Sequence, residues 1–337
     1  MNALVAFLCG VWLAGAASAS ELAWVSNERA GTVSAIDVAT DRVVGTVQVG
    51  GRPRGIAASP GGRTVWVAVS RPRGDPIFRE GIVAIDALTF APTAQTFSTS
   101  DPEGFALGAR PRRLYIANED AGTASIVDVA TGRLLTTLAV GAAPEGVAIS
   151  RDGRLVYVTA ETSNTVSVID VGRRRIVATI LVDPGPRAAV FGHGGELAFV
   201  TSESGRTVSV LDVRESAVIG RLRFLQPDQR PVGVAISPDD FTVYVATGRA
   251  DSVAVVDVAN PREPVLASEI RVGQRPWGIA LCCDGRKLYT ANGVSNDVSV
   301  IDTRARRLIA TIPVGDGPWG IAVAPSVLAS GLAETMR

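Results

Sequence analysis

Charged and aromatic side chains recur at two positions of this sequence where they could bind a ligand together. The first position lies between a proline and a small residue, and it is occupied by Arg54, Glu103, Glu145, Arg187, Val232, Trp277 and Trp319. The second lies four residues after a recurring aromatic residue, and it is occupied by Glu28, Ser70, Glu119, Glu161, Glu203, Gly248 and Gly293. Carboxylates and guanidinium groups can orient a polar ligand, and indole rings pack against planar or sugar-like ones.

If the repeats follow one another around a ring, these side chains form two arcs of one opening, which we call the mouth. One arc gathers Arg54, Glu103, Glu119, Glu145, Glu161, Arg187 and Glu203. The opposite arc places Trp277 and Trp319 on adjacent repeats beside Arg275. Paired carboxylates could also perform acid–base chemistry on a glycoside, provided that one of them is desolvated. Repeat position does not show side-chain direction, so a merely solvated rim is the alternative to a binding site.

Other catalytic and cofactor motifs are absent from the sequence. The single histidine, His193, falls in a predicted turn away from the mouth, which excludes a Ser-His-Asp triad there and a multi-histidine metal site. No haem-attachment, EF-hand, phosphate-binding or dinucleotide motif occurs. We therefore expect no catalytic residues of these types and neither a bound metal nor a cofactor.

Two adjacent cysteines, Cys282 and Cys283, lie in a predicted turn on the face opposite the mouth, where other repeats have Ser-Pro or Ser-Arg. Adjacent cysteines can close a strained disulfide in an oxidising compartment. They can equally be two small thiols that replace the usual turn residues. Both interpretations stay open on the sequence alone.

Three features recur seven times each and define the elements that carry these residues. The prolines are Pro53, Pro102, Pro144, Pro186, Pro231, Pro276 and Pro318, spaced 49, 42, 42, 45, 45 and 42 residues apart. The aromatic residues are Trp24, Trp66, Tyr115, Tyr157, Phe199, Tyr244 and Tyr289, and the aspartates are Asp37, Asp86, Asp128, Asp170, Asp212, Asp257 and Asp302. Repeats of this length are typical of β-propeller blades. The sequence predicts an all-β, seven-bladed β-propeller of four-stranded antiparallel blades.

The order of these features also predicts how the ring closes. Each repeat contains four strands, A to D, with the proline before strand A, the aromatic residue in strand B and the aspartate at the end of strand C. The first repeat begins at strand B, and the last is a lone strand A at 318–323. The C-terminal strand should therefore join the three N-terminal strands, which hides the exposed strand edges. We expect the propeller over 20–325 and a tail over 326–337.

The seven aspartates are best interpreted as structural. Each precedes a turn-forming stretch such as Val38-Ala39-Thr40, where a carboxylate accepts hydrogen bonds from backbone N–H groups in an Asx-turn. One role repeated in every blade is architecture, not a site.

Insertions in the repeat favour the face that carries the B–C and D–A loops. Seven extra residues lie in the B–C loop at 70–79, and three lie in the D–A loop at 224–230. A third insertion, at 260–264, belongs to a C–D turn on the other face. Because loops carry function more often than the scaffold does, we expect the mouth on the B–C/D–A face to be functional.

The N-terminal residues predict export. Residues 3–19 are apolar or small, and Ala17-Ser18-Ala19 has the form that signal peptidase cleaves. We expect residues 1–19 to be a cleaved signal peptide and the protein to be periplasmic or secreted. No second apolar run follows, so no transmembrane segment is expected in the mature chain.

The charge balance argues against nucleic acid as a partner. Lysine and arginine total 33, as do aspartate and glutamate, whereas nucleic-acid binding usually requires a clear cationic excess.

Several segments carry a family resemblance. Tyr115-Ile116-Ala117-Asn118 and Asn164–Asp170 resemble the YVTN family of β-propeller repeats, and 22–325 follows that pattern. Asp101–Phe105, Pro144-Glu145-Gly146 and Ala160–Asn164 are similar to the β-propeller proteins associated with catabolism that depends on pyrroloquinoline quinone (PQQ). The resemblance implies an exported protein that accompanies periplasmic quinoprotein alcohol oxidation. It implies a periplasmic quinoprotein dehydrogenase or a transport component as partner. PQQ would be associated with the pathway and is not implied as a cofactor of this protein. The resemblance transfers no catalytic residues.

Three functions follow from these observations. The leading expectation is a non-catalytic, periplasmic accessory protein that binds a small ligand or a partner at the mouth. The second is a lactonase-type hydrolase on a seven-bladed propeller, and the third is a structural envelope or surface protein. Fold alone does not choose among them.

Overall fold

The computed structural model describes residues 21–327, apart from 73, 76, 98, 99, 110 and 111. The predicted signal peptide at 1–19 and residues 328–337 of the predicted tail lie outside the described residues. Within the described part of the chain, no helix has the length and apolar character needed to cross a membrane.

The described strands form seven separate sheets of four antiparallel strands each, so the predicted fold and blade number are confirmed. Blade 1 contains β1 (Glu21–Asn27), β2 (Thr32–Asp37), β3 (Arg42–Gln48) and the C-terminal β28 (Pro318–Pro325). Blade 2 contains β4 (Arg52–Ala58), β5 (Thr64–Ser70), β6 (Gly81–Asp86) and β7 (Ala91–Phe97). Blade 3 contains β8 (Pro102–Ala109), β9 (Arg112–Asn118), β10 (Thr123–Asp128) and β11 (Leu134–Ala139). Blade 4 contains β12 (Pro144–Ile149), β13 (Leu155–Ala160), β14 (Thr165–Asp170) and β15 (Arg175–Leu181).

The remaining three blades follow the same order. Blade 5 contains β16 (Pro186–Phe191), β17 (Leu197–Ser202), β18 (Thr207–Asp212) and β19 (Ala217–Arg223). Blade 6 contains β20 (Val234–Ile236), β21 (Thr242–Ala246), β22 (Ser252–Asp257) and β23 (Val265–Arg271), with a 3₁₀ turn at Gly248–Ala250. Blade 7 contains β24 (Pro276–Cys282), β25 (Lys287–Asn292), β26 (Asp297–Asp302) and β27 (Arg307–Pro313), with a 3₁₀ turn at Cys283–Gly285.

The two ends of the described chain close the ring as expected. The C-terminal β28 pairs antiparallel with β1, in a register that begins at Glu21 opposite Pro325 and ends at Asn27 opposite Pro318. This pairing completes blade 1 from strands at opposite ends of the described residues.

The hydrophobic core lies between neighbouring blades. The strand-B aromatic residues Tyr157 and Tyr289 are fully buried, and each packs against apolar side chains of an adjacent sheet. Burial of large aromatic side chains contributes strongly to stability. Each blade is therefore held by two neighbours, which fixes the strand ends that form the mouth.

Glycines near the axis let the blades approach closely enough to surround a narrow channel. A Cβ atom on Gly104 would lie 2.4 Å from the Glu145 carbonyl oxygen, and one on Gly146 would lie 2.3 Å from that of Arg187. No side chain fits at such distances. Each of these glycines therefore lets the backbone of the neighbouring blade's mouth residue approach closely.

The aspartate turns are confirmed. The Asp37 carboxylate accepts a hydrogen bond from Ala39 N at 2.8 Å, and the Asp170 carboxylate accepts one from Arg173 N at 2.7 Å. The other five aspartates accept a hydrogen bond from a backbone N–H two or three residues later. They hold C–D turns and lie away from the mouth.

Candidate functional site

The ten predicted site residues come together at one end of the central channel. A cavity of about 550 Å³ at this end is lined by nine of them: Arg54, Glu103, Glu119, Glu145, Glu161, Arg187, Arg275, Trp277 and Trp319. The tenth, Glu203, contacts both Arg187 and Arg275. The residues selected by their positions in the repeat are therefore neighbours in the structure. That these residues bind a ligand stays a prediction.

In six of the seven blades, a bulge in strand A places the first-position residue at the mouth. In blade 4 the pairing with strand B shifts register between Pro144 and Val147, so Glu145 and Gly146 together face Thr159. A bulge releases a side chain from the regular strand alternation and re-aims it. The Thr159 hydroxyl donates to the Arg187 carbonyl at 2.9 Å and accepts from Gly146 N at 2.8 Å, which ties blade 4 to blade 5 at this point.

Arg187 is the centre of one charged cluster. Its guanidinium contacts Glu145 at 2.5 Å, Glu161 at 2.8 Å and Glu203 at 2.8 Å. Burial lowers the pKa of Arg187, but the charges of the three glutamates outweigh this effect and raise it above its ordinary value. Arg187 is therefore a permanent cation whose hydrogen-bonding groups are already engaged by carboxylates.

Arg54 is the centre of a second cluster, on the next blades around the ring. It contacts Glu103, approaches Glu28 at 3.2 Å and lies 3.6 Å from Glu119. Arg52 binds the same Glu28 carboxylate at 2.9 Å. Arg54 and Glu103 are buried, 9% and 3% exposed, so this ion pair is well shielded from water.

Glu145 has the properties of an acid–base group. It is 7% exposed, and burial raises its pKa to about 8, with the Arg187 guanidinium lowering it in part and the charges of Glu119 and Glu161 raising it further. Near neutral pH the carboxyl is largely protonated and can donate a proton while its other oxygen accepts from Arg187. Burial, with the nearby Asp101 and Asp120, also raises the pKa of Glu119. The desolvation that acid–base chemistry requires is therefore present at the mouth.

Two tryptophans form the opposite wall. The rings of Trp277 and Trp319 lie 5.7 Å apart between centroids at 39°. The guanidinium carbons of Arg275 and Arg187 lie 4.9 Å and 5.6 Å from the Trp277 ring centroid. Burial and the charges of Arg249 and Arg187 lower the pKa of Arg275, which Glu203 offsets only in part. Among the described residues Arg275 has one carboxylate partner, Glu203 at 3.7 Å, and it is the least neutralised of the three arginines predicted for the site.

A narrower cavity of about 240 Å³ continues from the mouth into the channel. Glu145, Arg187, Trp277 and Trp319 line both spaces. Below them the wall is apolar, formed by Ile56, Phe105, Val147, Val234, Ile279 and Ile321. The four shared residues therefore lie at the boundary between the polar mouth and the apolar channel. Such a boundary is typical of ligand-binding sites.

Charged residues that line the mouth cavity without being among the ten predicted site residues include Glu28 and Arg52. Glu28 occupies the second repeat position and Arg52 precedes a repeat proline, as Arg275 does, so the same pattern could have included them. Glu80, at the end of the inserted B–C loop, does not line the mouth cavity. Its buried carboxylate accepts hydrogen bonds from Arg71 N at 3.0 Å and Asp101 N at 2.9 Å.

The inserted loops do not form the mouth cavity. Among the described residues of 70–79 and 224–230, none lines it. The candidate site therefore lies on the expected B–C/D–A face. The inserted loops, which were the reason for choosing this face, do not form the site. The site is built from strand ends, which hold side chains more rigidly than long loops do.

His193 and the cysteines lie away from the mouth, as predicted. His193 Nδ1 contacts the Asp240 carboxylate at 2.9 Å across two A–B turns. Cys282 and Cys283 occupy the A–B turn of blade 7, with free thiols.

Comparison with known proteins places part of the chain near one enzyme family. Residues 177–308 match the model of the family described as Lactonase, 7-bladed beta-propeller. No curated protein matches the sequence.

Solved structures share the fold over most of the chain. The periplasmic gluconolactonase PpgL of Pseudomonas aeruginosa is 18% identical with a TM-score of 0.76, over 91% of this chain and 99% of its own. A proposed 6-phosphogluconolactonase of Bacteroides fragilis is 16% identical with a TM-score of 0.77, over 92% and 99%. Hydrazine synthase of Kuenenia stuttgartiensis is 20% identical with a TM-score of 0.71, over 81% and 90%. At these identities the likeness shows a shared fold.

These findings correct the leading functional expectation. A non-catalytic accessory protein of PQQ-dependent catabolism was expected, but the matching family is one of lactonases, and lactonases recur among the similar structures. Neither the YVTN family nor a PQQ-associated family is shown. The accessory-protein prediction is wrong, and the lactonase alternative is the better supported one.

Proposed function

We propose that this protein hydrolyses a lactone at the mouth of the propeller. The observation that carries the proposal is Glu145, a buried carboxyl with a raised pKa that contacts Arg187 at 2.5 Å and lines both cavities. The lactonase family match over 177–308 supports the same chemistry.

Lactone hydrolysis needs a proton acceptor for water and a proton donor for the leaving oxygen. Water attacks the carbonyl carbon, the C–O bond of the ring then breaks, and the ring oxygen leaves with a proton as a hydroxyl. In this proposal Glu119, whose pKa is also raised, accepts the proton of water, and protonated Glu145 donates to the ring oxygen. The two carboxyls return to their starting states by exchanging a proton through solvent.

The same geometry offers stabilisation for the negative charge that develops on the carbonyl oxygen. Arg275 is the least neutralised of the three predicted-site arginines and lies against the tryptophan wall. A cation held in a partly desolvated site stabilises an oxyanion more than it would in water. Arg187 has another role in this proposal, which is to hold Glu145, Glu161 and Glu203 in place.

The substrate class that fits best is an uncharged, hydroxylated lactone. Indole faces such as those of Trp277 and Trp319 pack against the apolar face of a sugar-like ring. The surrounding carboxylates can accept hydrogen bonds from its hydroxyl groups. Among the described mouth residues, every arginine has a carboxylate within 4 Å, which leaves no free cation for a phosphate group.

The test is a hydrolysis assay with glucono-δ-lactone and other neutral sugar lactones, measured above the spontaneous rate in buffer. We expect Glu145→Gln, which keeps the shape but cannot donate in the same way, to lower kcat about 100-fold or more. Glu196→Gln, on the opposite face, is the matched control and should keep full activity. A wild-type protein without activity on the whole panel, or a Glu145→Gln variant with full activity, would contradict the proposal.

We also propose that the protein acts outside the cytoplasm. The support is the apolar segment at 3–19 with its Ala17-Ser18-Ala19 sequence and the periplasmic location of the similar gluconolactonase. N-terminal sequencing of the protein from cell fractions tests this: a mature chain beginning at Ser20 outside the cytoplasm is expected, and an uncleaved cytoplasmic chain would contradict it.

A further inference from the structure

Glu21, Cys282 and Cys283 form a compact group on the face opposite the mouth. The two sulfur atoms lie 3.1 Å apart, and the Glu21 carboxylate accepts a hydrogen bond from Cys283 N at 2.9 Å. One carboxylate oxygen and both sulfurs lie within 4.8 Å of one another. This cluster joins two distant parts of the sequence and shares no residue with the proposed catalytic machinery.

The backbone brings the two thiols to the same side. Consecutive side chains of a strand point to opposite faces, so adjacent cysteines in a regular strand would diverge. Here β24 ends at Cys282, and Cys283 adopts the left-handed conformation with φ of 54°. Asp284 is left-handed too, with φ of 53°. This turn points both sulfurs toward Glu21 on the neighbouring β1.

The repeat shows that thiols are not needed to build this turn. Ser150 and Ser237 hold the position of Cys282 in blades 4 and 6, and their hydroxyls accept hydrogen bonds from Leu155 N at 2.9 Å and Thr242 N at 3.0 Å. A serine therefore makes the turn elsewhere in the same protein. The two cysteines of blade 7 add thiolate chemistry to a turn that folds without it.

We propose that Glu21, Cys282 and Cys283 bind a thiolate-preferring metal ion, for which zinc is the probe. Two thiolates and a carboxylate are ligands of the type that zinc accepts, and three protein ligands leave a fourth position for water. A groove of about 700 Å³ lined by Glu21 and Cys283 gives access from solvent. On binding, each thiol releases its proton to solvent as the metal–sulfur bond forms. The proposal differs from the sequence-based expectation of no metal, and it is independent of the proposed lactone hydrolysis.

The required movement is small. Two sulfurs bound to one tetrahedral zinc at about 2.3 Å each lie about 3.8 Å apart, compared with 3.1 Å here. Cys282 is buried, whereas Cys283 is only partly buried and lines the groove. A rotation of the Cys283 side chain toward the groove therefore opens the pair while the turn keeps its hydrogen bond to Glu21.

A bound metal would link the closing blade to its neighbour. Glu21 begins β1 and pairs with Pro325 of β28, whereas both cysteines belong to blade 7. Because a ligand that binds only the folded state stabilises it, zinc should raise the melting temperature of the protein.

The experiment uses the full, reduced protein and titrates it with zinc by calorimetry and with cadmium by thiolate-to-metal absorption. We expect one metal per chain at this site, a thiolate absorption band and a rise in melting temperature. Cys282→Ser, which restores the residue of blades 4 and 6, should abolish the band and the melting shift, and Glu21→Gln should weaken binding about tenfold. Glu196→Gln, in another A–B turn, is the matched control and should bind as the wild type does.

The absorption band separates this site from the carboxylates of the mouth, which contain no sulfur. Circular dichroism of each variant shows whether it folds, and Cys283→Ser gives a second test if Cys282→Ser does not. Wild-type protein that gives no thiolate band, or that gives the same band and melting shift as folded Cys282→Ser, would overturn the proposal.

Discussion

The Glu145 carboxyl and the Arg187 guanidinium, 2.5 Å apart, belong to adjacent blades and meet where the mouth narrows into the channel. Each comes from the same repeat position, one residue after a repeat proline. Substitution at a single repeated position has therefore produced an acid in one blade and its positioning cation in the next. The repeated blade gives this position the same place at the mouth, and the residue at that position can differ from blade to blade.

The raised pKa of Glu145 predicts how stability and activity depend on pH. The folded carboxyl has a pKa of about 8, above the value of about 4.3 in an unfolded chain, so the folded state binds more protons between these values. By linkage, the contribution of Glu145 to stability is largest at low pH, falls as pH rises toward 8 and is constant above it. The rate should also fall above about pH 8, because the donor has lost its proton. Urea unfolding and kcat, each measured from pH 5 to 9, check this.

Glu145→Gln is the control for that prediction, because an amide does not titrate in this range. It should remove Glu145's part of the pH-dependent loss of stability and the alkaline fall of any remaining rate. A wild-type pH profile that the substitution leaves unchanged would show that another group titrates.

Replacing Arg187 should be strongly destabilising. Arg187→Met keeps much of the side-chain volume but leaves Glu145, Glu161 and Glu203 without their shared cation. Breaking a buried ion pair in this way costs about 3 kcal/mol or more. Urea denaturation measures the loss, and the Arg187→Met/Glu203→Gln double variant should recover part of it, since one of the stranded carboxylates is then removed. A loss below about 0.5 kcal/mol would mean that water replaces the guanidinium without strain.

The fold was predictable from the sequence because every blade repeats the same structural residues at the same spacing. Pro144, Tyr157 and Asp170 each have six counterparts, and each does one structural job: starting strand A at its bulge, filling the core between blades, or holding a turn. The chain order of these markers also determined which strand closes the ring. Such features need no knowledge of side-chain contacts.

The candidate site was predictable only as a set of neighbours. The bulge at Glu145 and Gly146 appears as a register shift against β13, and nothing in the spacing from Pro144 to Tyr157 reveals it. The burial of Glu145 and its contact with Arg187 depend on how the blades pack, so the pKa could not be read from the sequence. The function was mistaken for a related reason: the YVTN-like segments describe the scaffold, and scaffold residues do not determine activity.

The tryptophan wall should contribute to substrate binding more than to the chemical step. Trp277→Ala removes one of two rings that lie 5.7 Å apart, and an aromatic contact of this kind is worth about 1 kcal/mol beyond its buried area. We expect KM for a neutral sugar lactone to rise about fivefold or more, which corresponds to this free energy at 25 °C, with a smaller change in kcat. Trp277→Phe should recover part of the loss. Phe241→Ala, an exposed aromatic residue in an A–B turn, is the control, and an equal effect there would argue against a specific wall.

The charge pairing at the mouth predicts a preference for neutral over phosphorylated substrates. A phosphate group carries close to two negative charges at neutral pH, and Glu119 and Glu161 line the cavity together with arginines that already have carboxylate partners. We expect kcat/KM for 6-phosphogluconolactone to be at least tenfold below that for the unphosphorylated lactone. Raising the ionic strength should narrow this difference, because salt screens the repulsion between exposed charges.

Glu203 offers a way to reverse that preference. It contacts Arg187 at 2.8 Å and is the only carboxylate within 4 Å of Arg275 among the described residues, at 3.7 Å. Glu203→Gln removes one negative charge from the rim and leaves Arg275 free to bind an anion. The ratio of kcat/KM for the unphosphorylated lactone to that for the phosphorylated lactone should therefore fall about tenfold. Glu215→Gln, on an exposed turn, is the matched control and should leave the ratio unchanged. If the wild type already prefers the phosphorylated lactone, then Arg275 must bind phosphate while paired, and the charge argument for a neutral substrate fails.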